Sequence, residues 1–336
     1  MNRLFLLPSS VLGLVAFAAF VHRGTTAQDQ FQYEAPLEAT RRVFEAVGPG
    51  FRGIARGPND KYYILTAPGP AVQIYDESGK QVGQIPNEAA AARKGVALVY
   101  GESFDVDRQG RVAVSDRGAG AVKIYGPDGS FVASIPVRGP APLVLLPENE
   151  VAVGSPESEH IVTSYDLAGR VVREYGDPEE ISDRADVNHQ VNIGHLAVDA
   201  EGNSYFAFDF LPEPTVRKFD HAGYLTMEIS LKTLEFQPAA QTARRAIARA
   251  GQGAVVLHRI ISAIGVDRQT QEVWLAMGTL LIHFDKDGQR VGTYRTYMPR
   301  GARLEAASIL VEPGRLLIGA DPQGIYEFPR PSKPAP

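Results

Sequence analysis

The sequence predicts an all-β fold, a six-bladed β-propeller of four-stranded antiparallel blades closed by an N-terminal strand completing the last blade. Two recurring turns and a mismatch between the chain ends carry that prediction. One turn follows an aromatic residue and joins an acid to a glycine: IYDESG at 74–79, IYGPDG at 124–129, SYDLAG at 164–169, KFDHAG at 218–223 and HFDKDG at 283–288. Its glycines lie 50, 40, 54 and 65 positions apart, close to the length of one blade. A second turn precedes each copy: GPND at 57–60, DVDRQG at 105–110, LPENE at 146–150, AVDAEG at 197–202 and GVDRQT at 265–270. Apolar, β-branched and aromatic runs flank both turns and favour a pleated, half-buried backbone.

With strands a to d counted outward from the centre, the full blades run Arg52–Ile85, Ser103–Pro136, Pro142–Tyr175, Gly194–Ser230 and Ile261–Thr296. The sixth unit has only three strands, Ser308–Glu312, Arg315–Gly319 and Gly324–Phe328, before a Pro-rich stretch begins. RRVFEAV at 41–47 reads as the missing fourth strand. Pairing it with the last blade closes the ring and covers a sheet edge. The organisation is therefore 1–27 signal peptide or membrane anchor, 28–40 linker, 41–328 propeller and 329–336 disordered Pro-rich tail.

Composition fits that plan: among 336 residues, 33 Gly and 24 Pro supply turns for many short strands. At the N-terminus, Arg3 precedes apolar Leu4–Leu7 and Val11–Val21, and Thr25-Thr26-Ala27 offers cleavage after Ala27. This is the pattern of a secretory signal, so a secreted or periplasmic protein is expected. The competing expectation is an uncleaved anchor over residues 4–21 in the inner membrane. The chain contains no Cys, which excludes disulfides, thiol catalysis and thiolate metal sites. Loss of residues 1–27 removes Arg3 and Arg23 and takes the formal charge from −5 to −7. A negative body is a poor match for nonspecific nucleic-acid binding, which depends on neutralising phosphates.

The a-to-b and c-to-d turns are all short, whereas the d-to-a connections run 87–102, 137–141, 176–193, 231–260 and 297–306. One face of the ring is thus plain and the other rich in loops, where rigid scaffolds present binding groups. Asn87 reads as the N-cap of a helix over 88–94 that stops at Gly95. A second helix begins near Pro238 and runs through 239–250, with Arg244, Arg245 and Arg249 off its apolar face.

Strand a should open at the loop-rich mouth of the central tunnel with Arg52, Ser103, Leu143, His195, Ala263 and Ser308, and Glu102 stands one step ahead of Ser103. The stretch 183–195 adds Asp186, Asn188 and His189 beside His195, and the next connection brings His258 and Arg259. The candidate ligand-binding set is Arg52, Glu102, Ser103, Asp186, Asn188, His189, His195, His258 and Arg259. Arginines suit anionic groups through paired hydrogen bonds. The expectation is a small polar or anionic ligand, or an envelope protein partner, bound at this mouth without a cofactor. The alternative is a metal-dependent hydrolase or lyase, with a divalent ion on Asp186, His189 and His195 keeping one position open for water, or with one His as general base. His160, His221 and His283 read as structural.

No nucleophile elbow, P-loop, GxGxxG or HExxH occurs, and Trp274 is the only Trp, with no Trp-Asp pair to suggest WD40 repeats. The strand endings FDVD, LAVD and GVD, followed by YDxxG or FDxxG, resemble NHL-repeat and related six-bladed propellers of exported bacterial proteins over 41–328. Among propellers of that shape, resemblance to the gluconolactonase and regucalcin group implies a metal held by an acid at the first inner strand, where this chain has Arg52. Resemblance to the peptidyl-hydroxyglycine lyase propeller implies several inner-strand His around zinc, and here His195 alone matches such a position.

Overall fold

A computed structural model of the chain describes residues 25–26, 34–139, 142–155, 158–233, 236–249, 253 and 255–331. Six radial sheets follow one another. Blade one comprises Phe51–Arg56, Tyr62–Thr66, Val72–Tyr75 and Gln81–Ile85, and blade two Gly101–Val106, Val112–Asp116, Ala121–Tyr125 and Phe131–Pro136. Blade three comprises Leu143–Leu146, Glu150–Gly154, Val162–Asp166 and Val171–Tyr175, and blade four Gly194–Val198, Ser204–Phe208, Thr215–Phe219 and Leu225–Ser230. Blade five comprises Ala263–Val266, Val273–Met277, Leu280–Phe284 and Arg290–Tyr297. Blade six is Ser308–Glu312, Arg315–Ala320 and Gly324–Pro329 with Arg41–Val43 as its fourth strand. The a strands of neighbouring blades touch around the ring and are innermost.

Closure by the N-terminal strand is antiparallel, with Val43 opposite Ile325 and Arg41 opposite Glu327. The strand is shorter than the sequence suggests because Phe44 turns away at φ 52°. Its ring packs against Tyr62 and Tyr75, with centroids 5.1 and 5.6 Å apart.

The repeated turns are hydrogen-bonding devices. Asp76 Oδ1 accepts from the N–H groups of Ser78 and Lys80 at 2.9 and 3.0 Å, and Gly79 takes φ +82°, a left-handed conformation that suits a residue without Cβ. Asp166, Asp220 and Asp285 repeat this arrangement on the c-to-d turns, and Asp107 and Asp199 on the a-to-b turns. The acids that define the repeat are therefore engaged by backbone.

Six apolar clusters fill the structure, one in each seam between adjacent blades. Because each sheet is covered on both faces, second strands such as Val112–Asp116, Ser204–Phe208 and Val273–Met277 are buried at every position. The half-buried alternation expected of them gives way to continuous runs, as two-sided burial demands.

Residues 34–38, placed in a linker by the sequence, instead form a fifth strand parallel to the outer strand of blade five, from Glu34 opposite Thr293 to Glu38 opposite Tyr297. Arg295 locks it by donating to Glu34 at 2.6 and 3.0 Å. Thr25 and Thr26 pair in parallel with Ile229 and Ser230 on blade four. The outer strands of blades one to three have no such cover among the described residues, and they carry the exposed Val82, Val132, Val171 and Val172.

At the other terminus, Arg330 is held by Asp267 at 2.5 Å and Glu272 at 2.6 Å, so the ordered chain extends past the Phe328 boundary. Residues 332–336, the cleavage point after Ala27 and the apolar stretch 4–21 lie outside the described residues. Among the described residues no helix is long and apolar enough to cross a membrane.

Near the plain face, Arg268 from the first turn of blade five reaches Asp105 of blade two, the blade opposite, at 2.8 Å. Asp105 also accepts from Leu145 N–H at 2.9 Å. An ion pair therefore spans the tunnel at that end.

Candidate functional site

The loop-rich face carries three helices, α1 (Glu88–Ala91), α2 (Ala185–Val191) and α3 (Gln237–Arg249). Asn87 caps α1 by accepting from Ala90 N–H at 2.8 Å, and Gly95 has φ +80°. The helix α2 occupies a stretch that the sequence reads as loop. Val187 and Val191, one turn apart, are buried and give it an apolar stripe.

Beneath α1 and the loop after it lies a buried ion pair. Asp116 and Lys123 meet at 2.8 Å with side chains 0% and 2% exposed. Asp116 also accepts from Val99 and Tyr100 N–H, both at 2.9 Å, while Lys123 donates to Ala97 O at 2.6 Å and Tyr125 OH to Val96 O at 2.6 Å. This fastens residues 96–100 to blade two. Tyr100 is thereby set against Arg52, whose guanidinium lies 5.6 Å from the ring centroid and donates to the phenol oxygen. Next along the ring, Glu102 stands 4.0 Å from Arg117, and Ser103 Oγ accepts from Leu143 N–H at 3.2 Å.

Across the ring, the start of blade four holds a second cluster. Asp209, one residue past the second strand, is 1% exposed and its Oδ2 forms an ion pair with Arg259 Nε at 2.9 Å. His195 Nε2 lies 3.2 Å from Asp209 Oδ1, close enough for charge attraction but misaligned for a hydrogen bond, so both atoms lack a hydrogen-bond partner. Burial pushes the Asp209 carboxyl above the usual carboxylate range, and His195 and Arg259 draw it only part of the way back. Arg259 is 52% and His195 30% exposed, so both present outer surfaces to solvent, and the guanidinium also stands 5.8 Å from the Phe210 centroid. The backbone is tight here: a Cβ on Gly194 would sit 2.2 Å from Ala207 O. His195 follows as the second residue of the inner strand.

The structure thus brings His195 and Arg259 together, around an acid that the sequence reading did not name. Arg52, Glu102 and Ser103 stand on blades one and two, and the other candidates point elsewhere. Asp186 is exposed on α2 and pairs with Arg184 at 2.6 Å. Asn188 accepts from Ile181 and Ser182 N–H at 3.1 Å and donates to Ser182 O, and Asn192 clasps Glu179 in the same way. These two amides hold the 176–193 connection. His189 is exposed beside His160 at a small pocket of about 180 Å³, and His258 is exposed. Among the described residues no three His, Asp or Glu stand together as ligands for a metal ion.

A cavity of about 940 Å³ lies off the tunnel axis between α3 and the outer strands of blade four. Its charges are mostly spent on one another, Arg217 on Glu179 and Glu228 and Arg244 on Glu213. The mouth cluster, with buried polar atoms left over, is the stronger candidate.

Asp209 had a readable signal. It closes the apolar run SYFAF just as Asp116 closes VAVS and Asp321 closes RLLIGA, and Asp321 Oδ1 accepts from Gly50 N–H at 2.8 Å. An acid ending the second strand of alternate blades clasps backbone in two cases and side chains in the third.

No family model and no curated protein matches the chain. In shape it is similar to virginiamycin B lyase from Staphylococcus aureus, at 12% identity over 87% of this chain and 88% of that one with a TM-score of 0.52. A streptogramin B lyase is similar at 14% identity over 84% and 93% with a TM-score of 0.52. The β-propeller domain of Cps50 (Swd1) from Myceliophteria thermophila is similar at 12% identity over 88% and 100% with a TM-score of 0.53. The chain is a six-bladed β-propeller. At these identities the likeness shows the fold alone, and the activity must be argued from the site.

Proposed function

We propose that this chain is an exported, NHL-repeat-like propeller that binds a small anionic ligand at the loop-rich mouth of its tunnel. One observation carries the reading: buried Asp209 pairs with Arg259 at Nε, leaving a half-exposed guanidinium positioned at the end of the tunnel that, among the described residues, no ion pair spans. A guanidinium so oriented loses little freedom on meeting a carboxylate or phosphate. Titration of the purified protein with acetate and phosphate, followed by NMR, should give saturable shifts at the mouth. Arg259→Ala should weaken binding about tenfold or more, since a hydrogen bond to a charged group contributes roughly 1.5–3 kcal/mol. Unchanged affinity in that variant would remove the reading.

Export is supported by the pattern of residues 1–27. Fractionation of cells expressing a C-terminally tagged chain should place it outside the cytoplasm, shortened by that segment. Full-length protein in the cytoplasmic fraction would count against it.

A second reading, a hydrolase or lyase, is favoured by the contact of an imidazole with a buried carboxylate at His195 and Asp209, groups suited to moving a proton at the mouth. The trio Asp186, His189 and His195 does not fit a metal ion, because Asp186 turns to Arg184 and His195 to Asp209, so no step is routed through one.

A further inference from the structure

Three buried polar atoms without hydrogen-bond partners belong to one corner of the molecule: Asp209 Oδ1, His195 Nε2 and Ser262 Oγ. Strand register and backbone hydrogen bonds bring them together. His195 pairs with Ala207, which packs with Val266 and Leu275 in the apolar seam between blades four and five. Alternate residues of a strand share a face, so His195 and Asp209 point with Ala207 toward blade five. From the other side, Ile264 and Val266 line the same seam, and Ile261 N–H donates to Asp209 O at 3.3 Å, which brings the next residue, Ser262, to this corner. Arg259 closes the corner from the connection ahead, where Ile260 N–H donates to Asp209 O at 2.7 Å.

Buried polar groups are nearly always partnered, and a set of orphans at one place marks where a partner belongs. A simple anion satisfies only half of this set. Its charge suits Arg259, but it would face the Asp209 carboxylate, which needs a donor. We propose that the seam is a subsite for the α-carbon end of an α-amino or α-hydroxy acid. The ammonium or hydroxyl donates to Asp209 Oδ1 with Ser262 Oγ as a further contact, and the carboxylate takes the outward nitrogens of Arg259. This rests on the reading of the mouth as an anion site and adds the requirement for a donor next to the carboxylate.

Four probes test it on the full-length protein by NMR titration: glycine, glycolate, acetate and methylamine. Glycine or glycolate should bind about tenfold more tightly than acetate and methylamine, the increment of one hydrogen bond to a charged group. Whichever of the two prevails identifies the donor. Asp209→Asn should bring that probe down to the level of acetate, and Ser262→Ala should weaken it severalfold while leaving acetate unchanged. Acetate binding as tightly as glycine and glycolate overturns the donor subsite while leaving the anion site standing. Methylamine matching glycine overturns the carboxylate contact, and absence of binding by every carboxylate overturns both proposals. Thermal melts of each variant confirm that a loss of binding is not a loss of fold.

Discussion

Lys123→Met is expected to lower the unfolding free energy by about 3 kcal/mol, and Asp116→Ala by more, up to about 5 kcal/mol, in urea denaturation. Both side chains are essentially inaccessible to water, so removing one partner leaves the other as an uncompensated buried charge. The two changes are not equivalent. Without Lys123, the carboxylate keeps the amides of Val99, Tyr100 and Ala119. Without Asp116, those amides and the ammonium lose their acceptor together. Residues 96–100 should then loosen first, and with them the ring of Tyr100 that braces Arg52, which hydrogen exchange would register as faster opening of this loop than of blade two. The pair also shapes the acid limb of stability. Burial pushes the Asp116 carboxyl up, but Lys123 and the Tyr100 and Val99 amides outweigh that and hold it below the usual range. A carboxyl depressed in the folded state stabilises above its unfolded value of about 3.9 and loses that contribution as pH falls through the folded one. The wild type should therefore lose stability below about pH 4 more steeply than Asp116→Ala. Variants within about 0.5 kcal/mol of wild type would show the pair to be energetically idle.

The propeller was legible because its repeat is local chemistry. An Asp two residues before the backbone amides it accepts, and a Gly where φ is positive, mark each turn whatever the neighbouring blades do. Closure by Arg41–Val43 followed from counting strands at the two ends. The fifth strand at Glu34–Glu38 was not legible, since Pro36 interrupts its short run and its partner lies about 260 residues away. An outermost parallel strand has one free edge, so a missing N–H costs it little. The helix α2 was missed for a related reason: Ala185–Val191 shows only Val187 and Val191 as an apolar stripe, too short a pattern to separate from loop. At the site, His195 and Arg259 could be placed because loop order puts them at the mouth. Asp209 was legible only by comparing the ends of the second strands in alternate blades, because taken alone an acid there looks like one more turn former. Its role depends on Arg259, 50 residues further on, folding back over it.

Asp209→Asn is expected to separate stability from binding. The carboxylate is 1% exposed, and burial holds its pKa above the unfolded value despite His195 and Arg259. For a carboxyl raised in the folded state, the favourable contribution is complete below the unfolded pKa and is lost as pH rises through the folded one. Ionisation of this buried group therefore works against folding. Asparagine keeps the shape, and its carbonyl oxygen can still face Arg259 Nε. The Arg259 and His195 side chains it leaves behind are 52% and 30% exposed, so water can solvate them. The variant should match or exceed wild-type stability at pH 7, by up to about 1 kcal/mol, as removal of a functional strain commonly does. That advantage should shrink toward pH 4, where the wild-type carboxyl is protonated. Over the same range, binding of a donor-bearing carboxylate should fall at least about tenfold at pH 7, because the neutral amide no longer offers the donor a charged acceptor. Denaturation and titration on one preparation decide between roles. A loss of more than about 2 kcal/mol at pH 7 with binding intact would make Asp209 a strut of the blade four and five seam. Retained stability with lost binding would make it the residue around which the mouth is organised.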